Sequence, residues 1–460
     1  MKRFTTSIHL VIITCILLAF LVCTKKQNNL TRISNLEFLA SNKITAKFYH
    51  SNFPHARGNY NGISTASDGK IYYVLCCDSL NFGGQMYVFD PETETIEHLA
   101  DLSEACGEKG MKAIPQGKCH VNFYEYEGKL FFGTHMSHYK REGARELIGD
   151  VPPGYKPYQG GHILSFDLAT REYTELCKAP IGEGIIALNM DTQRGRVYCI
   201  TWPSGHFFRY DVEKDKKKEF GTFFDDGEKG QGYRFQKVSR SLAVCADNGA
   251  VFFNNAEGNI FEYDYDKDEV NMVQHENLIK DYFGCLKPNS PETMGYQWRQ
   301  SRWSKLDNKI YAVHIESEYL FTLDPVTRKI EFVERIASLA TKKAGVTGYG
   351  VSLGLVFSHN NRILYHISHA HPTDEQLRDL ITEEQAELKL KNNHLIAYDI
   401  VDHKYADLGK IVFEEGDEPI HINSLALSED NVFYAMCYRK TGDGKKITDL
   451  LSFKLPEFKF

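Results

Sequence analysis

The 460-residue chain carries a formal net charge of −7 and no basic tract, which speaks against a nucleic-acid partner. A hydrophobic content of 42% with 25% charged residues is that of a globular protein and excludes an extended disordered chain. Aromatic residues reach 13%, almost all Tyr and Phe, and these favour β-strands.

Lys2 and Arg3 precede an apolar run from Ile8 to Val22, too short and too early for a membrane span. The run ends in AFLVC, and Cys23 is followed by Thr24, Lys25 and Lys26. This resembles a bacterial lipoprotein signal, with Val22 an unusual residue before the cysteine. The expectation is a signal peptide over residues 1–23, a tether over 24–45 and one folded domain over 46–460. The protein is then exported and held to a membrane by lipid on Cys23, as an outer-membrane lipoprotein; plain secretion is the alternative. Its eleven cysteines contain no CxxC spacing, which excludes a zinc ribbon. Cys199 and Cys245 sit in apolar runs and read as small core residues.

From Tyr87 onward one phrase recurs: an aromatic or apolar residue, Asp, a few polar residues, then a β-run. It appears as YVFDPETETIEHL, LSFDLATREYTEL, FRYDVEKDKKKEF, FEYDYDKDEVNMV, FTLDPVTRKIEFV and IAYDIVDHKYADL. Each reads as a hairpin with Asp in the turn. A second family of strands opens with Gly69, Gly128, Gly195, Gly249, Asn308, Asn361 and Asn431. Seven such strands, two hairpins to a unit, predict an all-β, seven-bladed β-propeller with four-stranded antiparallel blades. The stretch TDEQLRDLITEEQAELKLKNN from Thr373 predicts a short helical insertion in blade 6.

A propeller brings the start of each innermost strand and the end of each second strand to one face, where sites are built on loops. Innermost-strand starts offer Asn61, His120, Asn189, Arg240, Arg299, Tyr349 and His421. Second-strand ends offer His135, His138, Trp202, His206, His314, His366, His369 and His371. Nine of the eighteen histidines thus fall on one face. An isolated strand-end histidine is ordinarily a solvated residue, but a gathering of this kind, with arginines, points to a site. Histidine moves protons near neutral pH, and arginine grips a carboxylate or sulfate through its planar fork. Together they suit an acidic carbohydrate. Trp202 reads either as core packing or as a surface that stacks on a sugar. The run HISHAH, with His314, is a rival metal site: His314, His366, His369 and His371 are its candidate ligands for a structural zinc or calcium. No nucleophile motif of the GxSxG type occurs.

The stretches KCHVNFYEYEGKLFFGTHMSHY, PPGYKPYQGGHILSFDLATREY, MDTQRGRVYCITWPSGHFFRYD and YQWRQSRW together resemble the β-propeller polysaccharide lyases that cleave ulvan, a sulfated algal polysaccharide. The resemblance spans Asn59 to Phe453 and is strongest from Gly117 to Asp211. It implies β-elimination at a uronic acid: an Arg neutralises the carboxylate, a Tyr or His takes the C5 proton, and the leaving O4 is protonated. The family's pair of tunnel-mouth histidines looks like His120 with His135 or His138. Where its Tyr and Arg are expected in blade 3, this chain has Asn189 and Trp202-Pro203, so Arg240, Arg299 and Tyr349 stand in. Some members carry a structural metal.

The resulting expectation is a polysaccharide lyase acting on an acidic, uronic-acid-containing, sulfated polysaccharide. Catalysis falls to His120, His135, His138 and Tyr349. Substrate binding falls to Arg240, Arg299, Asn189, Trp202 and His421. The chemistry requires no cofactor, and a monomer is expected. The alternative is a non-catalytic glycan-binding or scaffold propeller at the cell surface.

Overall fold

The computed structural model describes residues 39–142, 145–280, 295–314, 317–343, 353–369, 393–442 and 444–460. The signal segment, Tyr349, His371 and the helix expected from Thr373 lie outside the described residues.

Turn chemistry sets the repeat. Gly69, Gly128, Gly195, Gly249, Asn308, Asn361 and Asn431 all adopt φ between 54° and 77°, a left-handed conformation that Gly and Asn tolerate best. Each stands in the turn between a first and a second strand. The outer hairpins turn on Asp side chains that accept successive backbone N–H groups: Asp167 from Ala169 and Thr170, Asp264 from Asp266 and Lys267, Asp324 from Val326 and Thr327. These Asx turns are the physical content of the repeated Asp phrase.

Among the described residues five antiparallel four-stranded sheets result, each in sequential strand order. The first comprises Ile63–Thr65, Ile71–Leu75, Gln85–Asp90 and Thr95–Asp101. The second comprises Tyr124–Tyr126, Lys129–Gly133, His162–Asp167 and Tyr173–Lys178. The third comprises Gly184–Asp191, Arg196–Trp202, His206–Asp211 and Lys216–Thr222. The fourth runs from Ala243 to Met272 and the fifth from Trp298 to Arg335. Second strands such as IYYVL and RVYCITW are buried along their whole length, whereas outermost strands are largely exposed. A strand covered on both faces needs no polar alternation, which explains the continuous apolar runs.

Of the remaining described strands, Tyr139–Glu142 and Arg145–Ile148 pair with each other, and the other eight form one sheet. Its organising piece is Lys43–Phe48, which lies parallel to Lys404–Phe413 and antiparallel to Lys446–Lys454. Residues 43–45, expected in the tether, therefore belong to a strand. The buried alternation of Ile44 and Ala46 docks this strand against Leu408, Ile411 and Leu451 in one core cluster.

The first strands close a ring. Ile63–Thr65 lies beside His421–Leu427, that strand beside Leu355–Phe357, and the series continues through Trp298–Ser304 and Ala243–Val244 to Gly184–Asp191. Asn122 and Ser64 complete it by hydrogen bonds between the first and second sheets. The chain is a β-propeller. The eight described cysteines outside the signal are unpaired and nearly all buried, as the core reading of Cys199 and Cys245 requires.

Candidate functional site

Lys118 and His135 form an isolated backbone pair, each N–H donating to the other's carbonyl at 2.9 and 2.8 Å. This pairing aligns Gly117–Val121 beside the end of the Lys129–Gly133 strand. Cys119 and Val121 alternate into the core, so Lys118 and His120 share the other side. The His120 and His135 rings stand 4.6 Å apart. Tyr60 stacks on His120 at 4.6 Å with planes inclined by 16°. His135 is almost wholly buried; its Nδ1 is 2.8 Å from the Tyr139 hydroxyl, and Trp202 packs 5.4 Å from its ring. Gly184 makes room for it, since a Cβ there would lie 2.7 Å from His135 Cγ.

The surroundings are cationic. Buried Lys118 sits 3.8 Å over the Tyr139 ring and pairs with Asp78 at 3.0 Å. Arg240 pairs with buried Glu228 at 2.6 Å. Burial, then His135, Lys118, Arg240 and Arg299, holds the His120 pKa well below the usual imidazole value. Burial, then Lys118 and Arg240, does the same to His135. Both rings are therefore neutral at neutral pH. Nε2 of each is buried with no hydrogen-bond partner among the described residues. A neutral imidazole with a spare nitrogen is able to accept a proton.

Tyr60 also lines a cleft of about 710 Å³ with His55, Arg57, Asp78, Tyr438 and Lys446. Asp78 is engaged by Lys118, which leaves Arg57 and Lys446 to set the sign of the cleft. Burial, aided by the charge on Arg57, lowers the Lys446 pKa. A cleft of this size and polarity accommodates a short run of an anionic chain.

The structure places His120 against His135, with Arg240 and Arg299 near enough for their charges to act on His120. His421 opens its strand as expected, and its ring stacks on His369 at 3.8 Å, with Tyr438 of the cleft 5.9 Å away. Other expectations need correction. Gly149 packs against the His138 ring, and Tyr139, one residue further on, is the partner of His135. Asn189 lies within the Gly184–Asp191 strand and lines the opposite mouth with Ser64 and Phe357. The strand starts at Gly184, five residues earlier than Asn189. Trp202 is buried as a wall of the His135 site, leaving no face for a sugar.

The described members of the metal set, His314, His366 and His369, do not come together on a cation site, and His371 lies outside the described residues. Both His314 nitrogens are engaged, by Ser317 and the Gly295 carbonyl. Those of His366 face the Gly354 carbonyl and Glu318. His369 is stacked on His421. Among the described residues no three His, Cys, Asp or Glu side chains converge on a cation site, so these residues do not fit a structural zinc or calcium.

Sequence reasoning passed over Lys118, Tyr139, Tyr60 and Glu228. Lys118 was recoverable from alternation in GKCHV, and Tyr139 from its place after HMSH. Tyr60 and Glu228 arrive from distant segments, and no local pattern marks them.

No family model matches the chain, and no curated protein matches it. Among solved structures, the chain is similar to the β-propeller domain of Cps50 (Swd1) from Myceliophteria thermophila, with 7% identity, a TM-score of 0.49, and coverage of 89% of this chain and 100% of that one. It is also similar to a chain of a mitotic checkpoint complex, with 11% identity, a TM-score of 0.47, and coverage of 90% and 96%.

Proposed function

We propose that this propeller is a polysaccharide lyase that cleaves an acidic, uronic-acid-containing, sulfated polysaccharide of the ulvan type by β-elimination. The observation that carries the reading is the His120–His135 pair: a half-buried and a buried imidazole, held neutral among cations, each with a buried Nε2 that has no partner among the described residues.

In this mechanism the uronate carboxylate is met by Arg299, Arg240 and Lys118, whose charge makes the adjacent C5–H more acidic. One of the two imidazoles takes that proton. The C5–H electron pair becomes the C4=C5 double bond, the C4–O4 bond breaks, and the departing O4 receives a proton from the imidazolium so formed, which returns it to the neutral state. The cationic cleft beside Tyr60 holds the chain on one side of the broken bond. Electrostatic stabilisation of the developing enolate-like charge is the larger contribution expected here, with proton transfer adding to it.

The fold count belongs to the same proposal. Divided at Lys43–Phe48, the eight-stranded sheet supplies two blades, and with the five four-stranded sheets this makes seven.

The deciding experiment mixes purified protein with ulvan and a panel of other uronate polymers and follows the ultraviolet absorbance of the unsaturated uronyl product. Absorbance growth with one polymer supports the lyase. Tight binding of a polymer with no absorbance change would transfer the site to the non-catalytic glycan-binding alternative.

A further inference from the structure

Asp78 and Lys118 meet where the first sheet joins the second. The Cys77 N–H donates to the Gly117 carbonyl at 2.9 Å, and each partner stands one residue beyond this bond. The Lys118 side chain is only 3% exposed, that of Asp78 is 42% exposed, and the two close to 3.0 Å. Rings flank the ammonium, which lies 3.8 Å from the Tyr139 centroid and 5.6 Å from that of Tyr60. Aromatic faces attract a cation but carry no net charge. Among the described residues no other carboxylate pairs with Lys118, so Asp78 is the counter-ion on which this buried lysine depends.

The pair stands on the way to the histidines. The cleft of about 710 Å³ is lined by Asp78 and Tyr60 but not by Lys118. An anion arriving through it meets the aspartate before the ammonium. Lys118 is in turn close enough to His120 and His135 for its charge to hold both pKa values down. Asp78 thus fills, with its own carboxylate, the place on Lys118 that the lyase reading gives to a uronate.

We infer that Asp78 is a specificity residue of this site, a built-in carboxylate that yields Lys118 to the carboxylate of an incoming uronate. The inference rests on the lyase reading for the position of the uronate. The exchange keeps the buried ammonium paired before and after, and the released Asp78 is already half in water, where ion pairs are weak. A neutral sugar offers no such exchange. It stops short of Lys118 or leaves a buried charge without a partner, which is costly. Discrimination follows from what the wrong ligand leaves unpaired.

The test uses purified protein with ulvan and with carboxyl-reduced ulvan, whose uronates have become neutral hexoses while the sulfates remain. Affinity is read as KM where the polymer is cleaved and as a calorimetric dissociation constant where it is not. Asp78→Asn keeps an acceptor for the ammonium and removes the competing charge. It should tighten ulvan about tenfold, equivalent to about 1.4 kcal/mol, and leave carboxyl-reduced ulvan unchanged, while Asp78→Glu stays near the parent. Unchanged or weaker ulvan affinity in Asp78→Asn overturns the exchange. An equal gain for both polymers also overturns it, since a general loss of negative charge would produce that result. Should Asp78→Asn not fold, crystals of the parent soaked in glucuronate decide: a glucuronate carboxylate on Lys118 upholds the exchange, and Asp78 still seated there overturns it. The lyase reading fails separately. Without absorbance growth on ulvan catalysis is lost, yet a selective gain in Asp78→Asn binding still upholds the exchange; no binding of ulvan by either protein overturns both.

Discussion

The Tyr139 hydroxyl lies 2.8 Å from His135 Nδ1, and His135 Nε2 has no partner among the described residues. The phenol therefore orients the imidazole and leaves Nε2 as the nitrogen able to exchange a proton. Tyr139→Phe keeps the ring beneath Lys118 and removes the hydroxyl that meets His135. A hydrogen bond of this kind contributes about 0.5–1.5 kcal/mol, so kcat should fall roughly 2–10-fold with KM little changed. Initial rates across substrate concentrations read both; a changed KM at constant kcat would assign Tyr139 to binding instead.

His120→Ala should lower turnover by about 10²–10⁴-fold, the usual worth of a positioned acid or base. The ring is only partly buried and stacks on Tyr60 without entering the core clusters, so the melting temperature should hold. Near-normal turnover in a folded variant would remove His120 from proton transfer.

Glu228 is the carboxylate behind Arg240 and Lys237, at 2.6 and 3.5 Å. Its burial acts to raise its pKa, and Arg240 and Lys237 outweigh that effect and hold it below the usual range. Glu228→Gln leaves both cations without their partner and should cost on the order of 3 kcal/mol. Urea denaturation measures this. A loss below about 1 kcal/mol would mean that solvent already compensates Arg240.

Acid should destabilise the fold through its buried imidazoles. Burial pushes the His314 pKa down to about 4 from an ordinary 6.5, and His120 and His135 move in the same direction. Each binds its proton more readily when unfolded, so stability is full above about pH 6.5 and falls as pH drops toward the folded values. His314 alone accounts for about 3 kcal/mol over that window. His314→Gln should flatten the acid limb of a stability–pH curve recorded from pH 7.5 to 4.5. An unchanged limb would show that other groups carry it.

Cys23→Ala should release the protein from the membrane fraction or stall its maturation, if lipid on Cys23 holds it there. Fractionation and N-terminal sequencing read this. A mature N-terminus downstream of Thr24 would sink the lipoprotein reading.

The repeat was legible because each turn imposes a local demand. Left-handed Gly or Asn at seven turns and Asp at the hairpins are requirements of single residues, and these show in any sequence. The site was legible only where one hairpin carried it, as with His120 and His135. Asn189 was misplaced because its strand is longer than its counterparts, and a spacing count cannot detect that. Glu228 comes from a short helical turn, Gly227–Lys229, far from the histidines in sequence. For the described members of the metal set, HISHAH shows imidazoles at close spacing, but hydrogen bonds to Gly354, Ser317, Gly295 and Glu318 already occupy the rings of His366 and His314.

Strand Lys43–Phe48 is held between Lys404–Phe413 and Lys446–Lys454, and this orders events in time. A chain emerging from its N-terminus presents this strand before any other described one, yet both of its neighbours lie some 370 to 410 positions later. Until they arrive it is an orphan edge, open to pairing with another chain. Closure at this strand therefore waits for the C-terminal strands, and it joins the two ends of the domain like a clasp. A load applied through any upstream anchor would pull first on that clasp. The strand that completes the ring is then also the one from which it would be opened.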